Sequence, residues 1–293
     1  MTESAEVEAE AEDESTADAA PSSDIYLGRL DTSVEPWVLG ELRNVTARAG
    51  YDNQPSFDTN ASFLYTSVRG RQSDIYRYAI ERDAHEQLSD TPSNEYSPTP
   101  LPDAEGFSVV RELDGVQTLW RHGPEGRPQG RMFEALDAIG YHLWLDGTQH
   151  AAFFLVGESE DGHRLVHAAA PGAELAPILE GKVGRCMAKL EGGLSYVEHG
   201  PEGAQLMRYV VESGARSPIV AAREGSEDYA WVGEADLLMG EGSGLWRWNV
   251  DAGWTAVSLQ AAEGGVLPSK KITRIAVSPD RRWVAFVEAE PSE

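Results

Sequence analysis

Residues able to do chemistry recur in this sequence at one kind of place, the opening positions of short β-type runs. Gln54, Glu95 with Tyr96, Tyr141 with His142, Arg185, Asp228 with Tyr229, and Arg274 all sit there. Arg185 and Arg274 carry planar guanidinium forks that suit a carboxylate in bidentate fashion, whereas Glu95 and Asp228 suit an amine or another cation. A peptide terminus, or a small anionic or zwitterionic molecule, meets both needs. The same residues also have a plainer use, pairing with one another inside a wet channel, because enclosed polar groups need partners with or without a ligand.

Enzyme signatures are sparse. The sequence contains no Gly-x-Ser-x-Gly elbow, no His-Glu-x-x-His helix and no Gly-Lys-Ser/Thr loop, so the common hydrolase, zinc-protease and nucleotide-binding sites lack support. A catalytic alternative remains in which His142 and acidic neighbours such as Asp228 act as base and acid of a hydrolase or lyase on a small molecule or glycan. Against it, a lone histidine is more often a hydrogen-bonded structural residue. His163 and His167 lie four apart without a third ligand beside them, and no metal or cofactor is expected. Cys186 is the single cysteine, which excludes an intrachain disulfide and a Cys-based zinc site. Arg185 beside it would lower its pKa, but a small side chain buried on an inner strand is the preferred reading.

Composition narrows the partners. The 293 residues hold 49 acids against 24 Lys and Arg, a formal charge of -25, and nucleic-acid binding needs a basic face that is not visible here. No apolar run approaches the roughly 20 residues that span a bilayer. Residues 1–23 carry eight acids and no Lys or Arg, a composition too polar to offset the entropy of ordering, and read as a disordered acidic tail or tether. If that stretch is what remains after removal of a secretory or lipoprotein signal, the domain is extracytoplasmic, periplasmic and lipid-anchored before processing; the cytoplasm stays open. A monomer is expected.

The elements that must position these residues are strands. From residue 24 to 290, short β-type runs alternate with Gly, Pro, Asp and Asn turns, as in an all-β sandwich, barrel or propeller. A repeat of about 40 residues, four strands each, separates these cases. In the clearest unit Gln54–Phe57, Phe63–Ser67, Asp74–Ile80 and His85–Leu88 follow one another, and units opening at Tyr96, Tyr141, Arg185 and Tyr229 repeat the pattern. Thr255–Leu259 closes the fifth of these. The last stretch supplies only Arg274–Val277 and Trp283–Val287, and Asp24–Leu30 with Glu35–Leu39 supply the missing half. This predicts a six-bladed β-propeller of four-stranded antiparallel blades, closed by N-terminal strands joining the C-terminal blade, which leaves no free sheet edge. Inner-strand openings then converge on one channel mouth.

The run from Asn53 to Arg111 resembles the TolB or PD40-type repeat. The resemblance rests on Pro55-Ser-Phe57, Leu64-Tyr-Thr-Ser67, Asp74-Ile-Tyr76 and Gln87-Leu88, with Ser278-Pro-Asp280 and Trp283-Val-Ala-Phe286 repeating turn and second strand near the C-terminus. Asp58-Thr-Asn60 departs from the Ser-Pro-Asp-Gly turn of that repeat, and Arg281 stands where it has Gly. The resemblance implies a propeller, a bacterial and often extracytoplasmic setting, and a role in binding a protein or peptide; with enzyme signatures sparse, that role is expected to be non-catalytic.

Overall fold

A computed structural model describes residues 22–290; the acidic segment read as a tail falls, over residues 1–21, outside the described residues. The chain opens with β1 (Ser23–Asp31) and β2 (Val38–Asn44). Blade one follows as β3 (Asp52–Thr59), β4 (Ser62–Arg69), β5 (Gln72–Ala79) and β6 (Ala84–Gln87). Blade two is β7 (Asn94–Pro100), β8 (Phe107–Leu113), β9 (Val116–His122) and β10 (Pro128–Met132). Blade three is β11 (Ile139–Asp146), β12 (His150–Leu155), β13 (Arg164–Ala168) and β14 (Ala176–Glu180). Blade four is β15 (Val183–Leu190), β16 (Gly193–Gly200), β17 (Gly203–Val210) and β18 (Arg216–Ala221). Blade five is β19 (Tyr229–Val232), β20 (Asp236–Glu241), β21 (Gly244–Asn249) and β22 (Gly253–Ala256).

The last blade is where the chain closes on itself. Its sheet runs β23 (Ser258–Ala261), β2, β1, β25 (Trp283–Ala289) and β24 (Lys271–Val277), with β24 innermost. β1 pairs antiparallel with β25 from Ser23↔Ala289 to Arg29↔Trp283, and within that register Tyr26 and Phe286 stack with ring centroids 5.6 Å apart. Such a pair adds ~0.5–1.5 kcal/mol beyond its burial. The ring is thus locked by two strands from the start of the sequence, as its pattern predicts. The fourth strand of this blade is shifted towards the C-terminus, Val38–Asn44 rather than Glu35–Leu39.

One element differs more. Thr255–Leu259 is not a single strand: β22 ends at Ala256, and Ser258–Ala261 crosses to lie parallel to β2 as a fifth strand of the last blade. The Ser258 amide donates to the Trp37 carbonyl and the Ala262 amide to that of Leu42. Val257 meanwhile sinks into the apolar wedge between the two blades. A local β pattern carries no record of which neighbour will pair with it.

Among the described residues, apolar packing forms six separate wedges, one at each blade-to-blade junction. Strand alternation explains them, since each strand turns successive side chains to opposite faces and every face meets a neighbouring blade. Some junctions are tight enough to need glycine. A Cβ on Gly240 of β20 would stand 2.5 Å from the Ile272 carbonyl oxygen of β24, so the small residue lets β24 seat against blade five and fixes the strand that carries Arg274.

Candidate functional site

Inner strands reach the channel through kinks. Ladder register slips between Asn53 and Ser56, between Tyr96 and Thr99, and between Thr273 and Ala276. At each slip one non-glycine residue adopts the left-handed region: Gln54 at φ 58, Ser97 at φ 52 and Arg274 at φ 51. An extra residue in a strand re-aims its side chain, and holding L-residues in this conformation costs ~1–2 kcal/mol each. The conformation turns Gln54, Ser97 and Arg274 onto the channel, where Tyr141, His142, Arg185 and Asp228 also line a cavity of about 180 Å³.

On the face where inner strands begin, the channel widens into a funnel of about 1180 Å³. Tyr141, Arg185 and Arg274 belong to both spaces and so form the constriction between them. Arg274 Nη2 donates to the Tyr141 hydroxyl at 2.7 Å, with the guanidinium carbon 4.8 Å from the Tyr141 ring centre. Arg185 donates through Nη2 to Asp228 Oδ2 at 2.7 Å and pairs through Nη1 with Glu227 Oε1 at 2.6 Å. Arg274 Nη1 stands 3.9 Å from Asp228 Oδ1, and His199 Nε2 3.4 Å from Glu227 Oε2. Two cations and two carboxylates therefore form one ion-pair network, with Arg274 the less closely paired cation.

The electrostatics follow from that pairing. Burial would push both arginines down. For Arg274 the Tyr141 hydroxyl and Asp228 reverse it, and for Arg185 Asp228 and Glu227 do, so both are held above their ordinary value. Burial raises Glu227, but the His199 hydrogen bond and the charges of Arg185 and Arg274 outweigh it and bring the carboxyl down to about 2. Tyr51, just ahead of β3, is a channel neighbour that the strand-opening pattern does not identify. Burial pushes its phenol up to about 12 against the pull of Arg274 and Arg185, so it stays a neutral donor and acceptor.

The nine residues of the sequence reading separate into two groups. Gln54, Tyr141, His142, Arg185, Asp228 and Arg274 come together along the channel. Glu95, Tyr96 and Tyr229 do not line that cavity. Glu95 is fully buried beside His122, at 3.4 Å, and accepts from the Thr91 hydroxyl. Tyr96 packs into the wedge between blades two and three, and Tyr229 is buried between blades four and five with its hydroxyl on Ser195 Oγ. The residue that blade two turns to the channel is Ser97, and the Gln54-Pro55-Ser56 and Ser97-Pro98-Thr99 correspondence was the available signal.

Other candidates resolve simply. His142 Nε2 lies 2.7 Å from Ser108 Oγ, which also accepts from Trp144, and burial brings its pKa down to about 3. A base that weak contributes little to proton transfer near neutral pH. Burial raises the Cys186 thiol to about 12 while its Sγ contacts the Tyr229 carbonyl at 3.4 Å, so Arg185 does not activate it. His167 faces His150 at 3.4 Å rather than His163, and among the described residues no group of three His, Cys, Asp or Glu could hold a metal ion. No helix among those residues is long and apolar enough to cross a membrane.

In sequence the chain matches no protein-family model and no curated protein. In three dimensions it is similar to TolB of Acinetobacter baumannii, at 12% identity and TM-score 0.55, over 92% of this chain and 65% of that one. It is also similar to a TolB-type protein of Agrobacterium tumefaciens, at 12% identity and TM-score 0.64, over 94% of this chain and all of that one. Tricorn protease aligns at 13% identity and TM-score 0.55 over 88% of this chain and 28% of its own. The chain thus spans just under two thirds of the Acinetobacter protein. At these identities the likeness is one of architecture: the chain shares with these TolB proteins the six-bladed β-propeller fold that the repeat resemblance implies.

Proposed function

We propose that this propeller is a non-catalytic binding module that receives a peptide segment of a protein partner in its funnel and reads a carboxylate with Arg274 and Arg185. The observation that carries this reading is the convergence of both guanidinium groups at the funnel floor, with Arg274 the less closely paired. A carboxylate arriving there gains a charge-assisted, fork-to-fork partner without needing a new cation to be buried. Asp228 and Glu227 hold the forks in place and would favour an amine on the same ligand. The funnel, at about 1180 Å³, exceeds the ~300–1,000 Å³ of small-molecule pockets, which favours a peptide over a metabolite.

His142 gives the hydrolase or lyase alternative no support, because it is committed to Ser108 and too weakly basic. An extracytoplasmic, periplasmic setting is part of the proposal and draws on the TolB-like architecture alone. The test is a display library of peptides with free C-termini, selected on the intact chain and on chains carrying Arg185→Ala or Arg274→Ala. Enrichment on the native chain that either substitution abolishes, with each variant still folded and unfolding cooperatively, supports the site. Equal enrichment on all three chains refutes it.

A further inference from the structure

Beyond the Arg274–Tyr141 bond lies the inner cavity, about 180 Å³ and open to solvent. A single water needs only ~10–15 Å³ of such space, whereas sites for drug-sized ligands offer ~300–1,000 Å³. The volume therefore suits a molecule of a few carbons. Blades one, two and three each turn a polar side chain to it, Gln54, Ser97 and His142 respectively. Met187 of blade four and Ile275 of blade six add apolar surface. Gln54 and Ser97 hold the left-handed conformation, at φ 58 and φ 52, and strain of this kind gathers at ligand sites.

The hydrogen bonds behind these three side chains fix what each presents. Gln54 Oε1 accepts from Thr66 Oγ1 and from the Ser97 amide, both at 2.8 Å, so the Nε2 end of the amide is the one left to donate. Ser108 Oγ has one proton and three contacts: the Thr99 carbonyl at 3.1 Å, Trp144 Nε1 at 3.1 Å and His142 Nε2 at 2.7 Å. All three are hydrogen bonds only if Ser108 donates to Thr99 and His142 donates to Ser108 through Nε2–H. His142 Nδ1 is then a bare acceptor. Among the described residues that Nδ1 and Ser97 Oγ are buried without a partner, on side chains 7% and 9% exposed. Such atoms are uncommon in folded proteins, and here two of them belong to residues that line one cavity.

We infer that the inner cavity binds a small uncharged molecule with hydroxyls on neighbouring carbons, a polyol or a small sugar. A hydroxyl both donates and accepts, so one serves the His142 acceptor, another the Gln54 donor and a third Ser97 Oγ, across three adjacent blades. Met187 and Ile275 meet the C–H surface. A carboxylate brings acceptors alone and sets its lone pairs against that of His142 Nδ1. A single primary amide serves one donor and one acceptor and leaves the third blade unpartnered. An uncharged ligand also leaves undisturbed the network in which Asp228 and Glu227 balance Arg185 and Arg274. The site is separate from the funnel floor and stands whether or not the funnel receives a peptide.

The experiment records amide and methyl shifts of the intact chain titrated with erythritol, D-xylose, acetamide and sodium acetate. The inference expects erythritol, the open-chain probe, or D-xylose, the ring, to bind with a Kd on the order of 1 mM and to shift Gln54, Ser97, His142 and the Met187 methyl. Ser97→Ala removes a hydroxyl that no protein group uses. That variant should still unfold cooperatively and bind the hydroxylated probe ~2–10-fold more weakly, the worth of one neutral hydrogen bond. Gln54→Glu keeps the acceptor for Thr66 and Ser97 but loses the donor, and should weaken binding likewise. No shift at these residues at about 100 mM of either hydroxylated probe, a hundredfold above the expected Kd, would mean that water alone fills the cavity and overturns the inference. Acetate or acetamide binding there as tightly as the hydroxylated probes, or undiminished binding by either variant, overturns it too.

Discussion

Arg274 and Tyr141 meet across the channel, Nη2 to hydroxyl at 2.7 Å, although 133 residues separate them in sequence. They belong to blades six and three, which face one another in a six-membered ring. The bond therefore bridges the constriction between funnel and inner cavity, and it joins two opposite blades by something other than neighbour-to-neighbour packing. Tyr141→Phe removes the acceptor but keeps the ring under the guanidinium. Hydrogen bonds to charged groups contribute ~1.5–3 kcal/mol, so the urea midpoint should fall by a corresponding amount. An unchanged midpoint would mean that water takes over the acceptor role at no cost.

Glu227 should shape the acid limb of stability. Its carboxyl is brought to about 2 in the folded chain and returns to ~4.5 on unfolding, so its stabilisation is complete above the unfolded value and disappears as pH falls through 4.5 towards 2. With the side chain 22% exposed, the contribution is ~1–3 kcal/mol after allowance for solvent screening. Glu227→Gln should lower the unfolding temperature at pH 7 and converge with the native chain near pH 2. A constant offset at all pH values would assign the loss to packing instead.

His142 acts over a different window. Its folded pKa is about 3 against ~6.5 when unfolded, so the unfolded chain takes up the extra proton as pH drops below 6.5. Stability then declines by up to ~1.4 kcal/mol per pH unit on this account. In His142→Gln that slope should be missing between pH 6.5 and 4.5. Parallel curves for the two chains would show that the ring protonates in place.

Cys186 offers a check on the channel wall. With the thiol near 12 rather than close to ~8.5, its thiolate fraction at neutral pH is about a thousandfold below that of a free cysteine. Iodoacetamide should label it slowly in the folded chain and promptly in urea. Prompt labelling of the folded chain would place the sulfur in an open, electropositive setting.

Much of this architecture was legible in the sequence because strand alternation and turn residues recur blade after blade. The Asp24-Ile-Tyr26 and Asp74-Ile-Tyr76 likeness even located the closure, since both runs fill the third-strand position of a blade. Arg281 illustrates the same logic: the repeat has Gly there, and the chain does adopt a left-handed turn, φ 63, with arginine in it. The channel was harder to read. A kinked inner strand shifts the facing residue by one, which takes Tyr96 into a blade junction and brings Ser97 to the channel, and side-chain types alone do not reveal the kink. Tyr51 was missed because it precedes its strand, and the path of Ser258–Ala261 depends on a partner more than two hundred residues away.

Recognition of a ligand carboxylate by Arg274 at the funnel floor can be measured directly. A peptide selected on the native chain should be made with a free and with an amidated C-terminus, and its Kd measured by calorimetry on the native and Arg274→Gln chains. Amidation and Arg274→Gln should each weaken binding ~10–100-fold, the worth of one desolvated charged hydrogen bond or fork, and the two losses should not add. Equal binding of both peptide forms, with Arg274→Gln without effect, would contradict it.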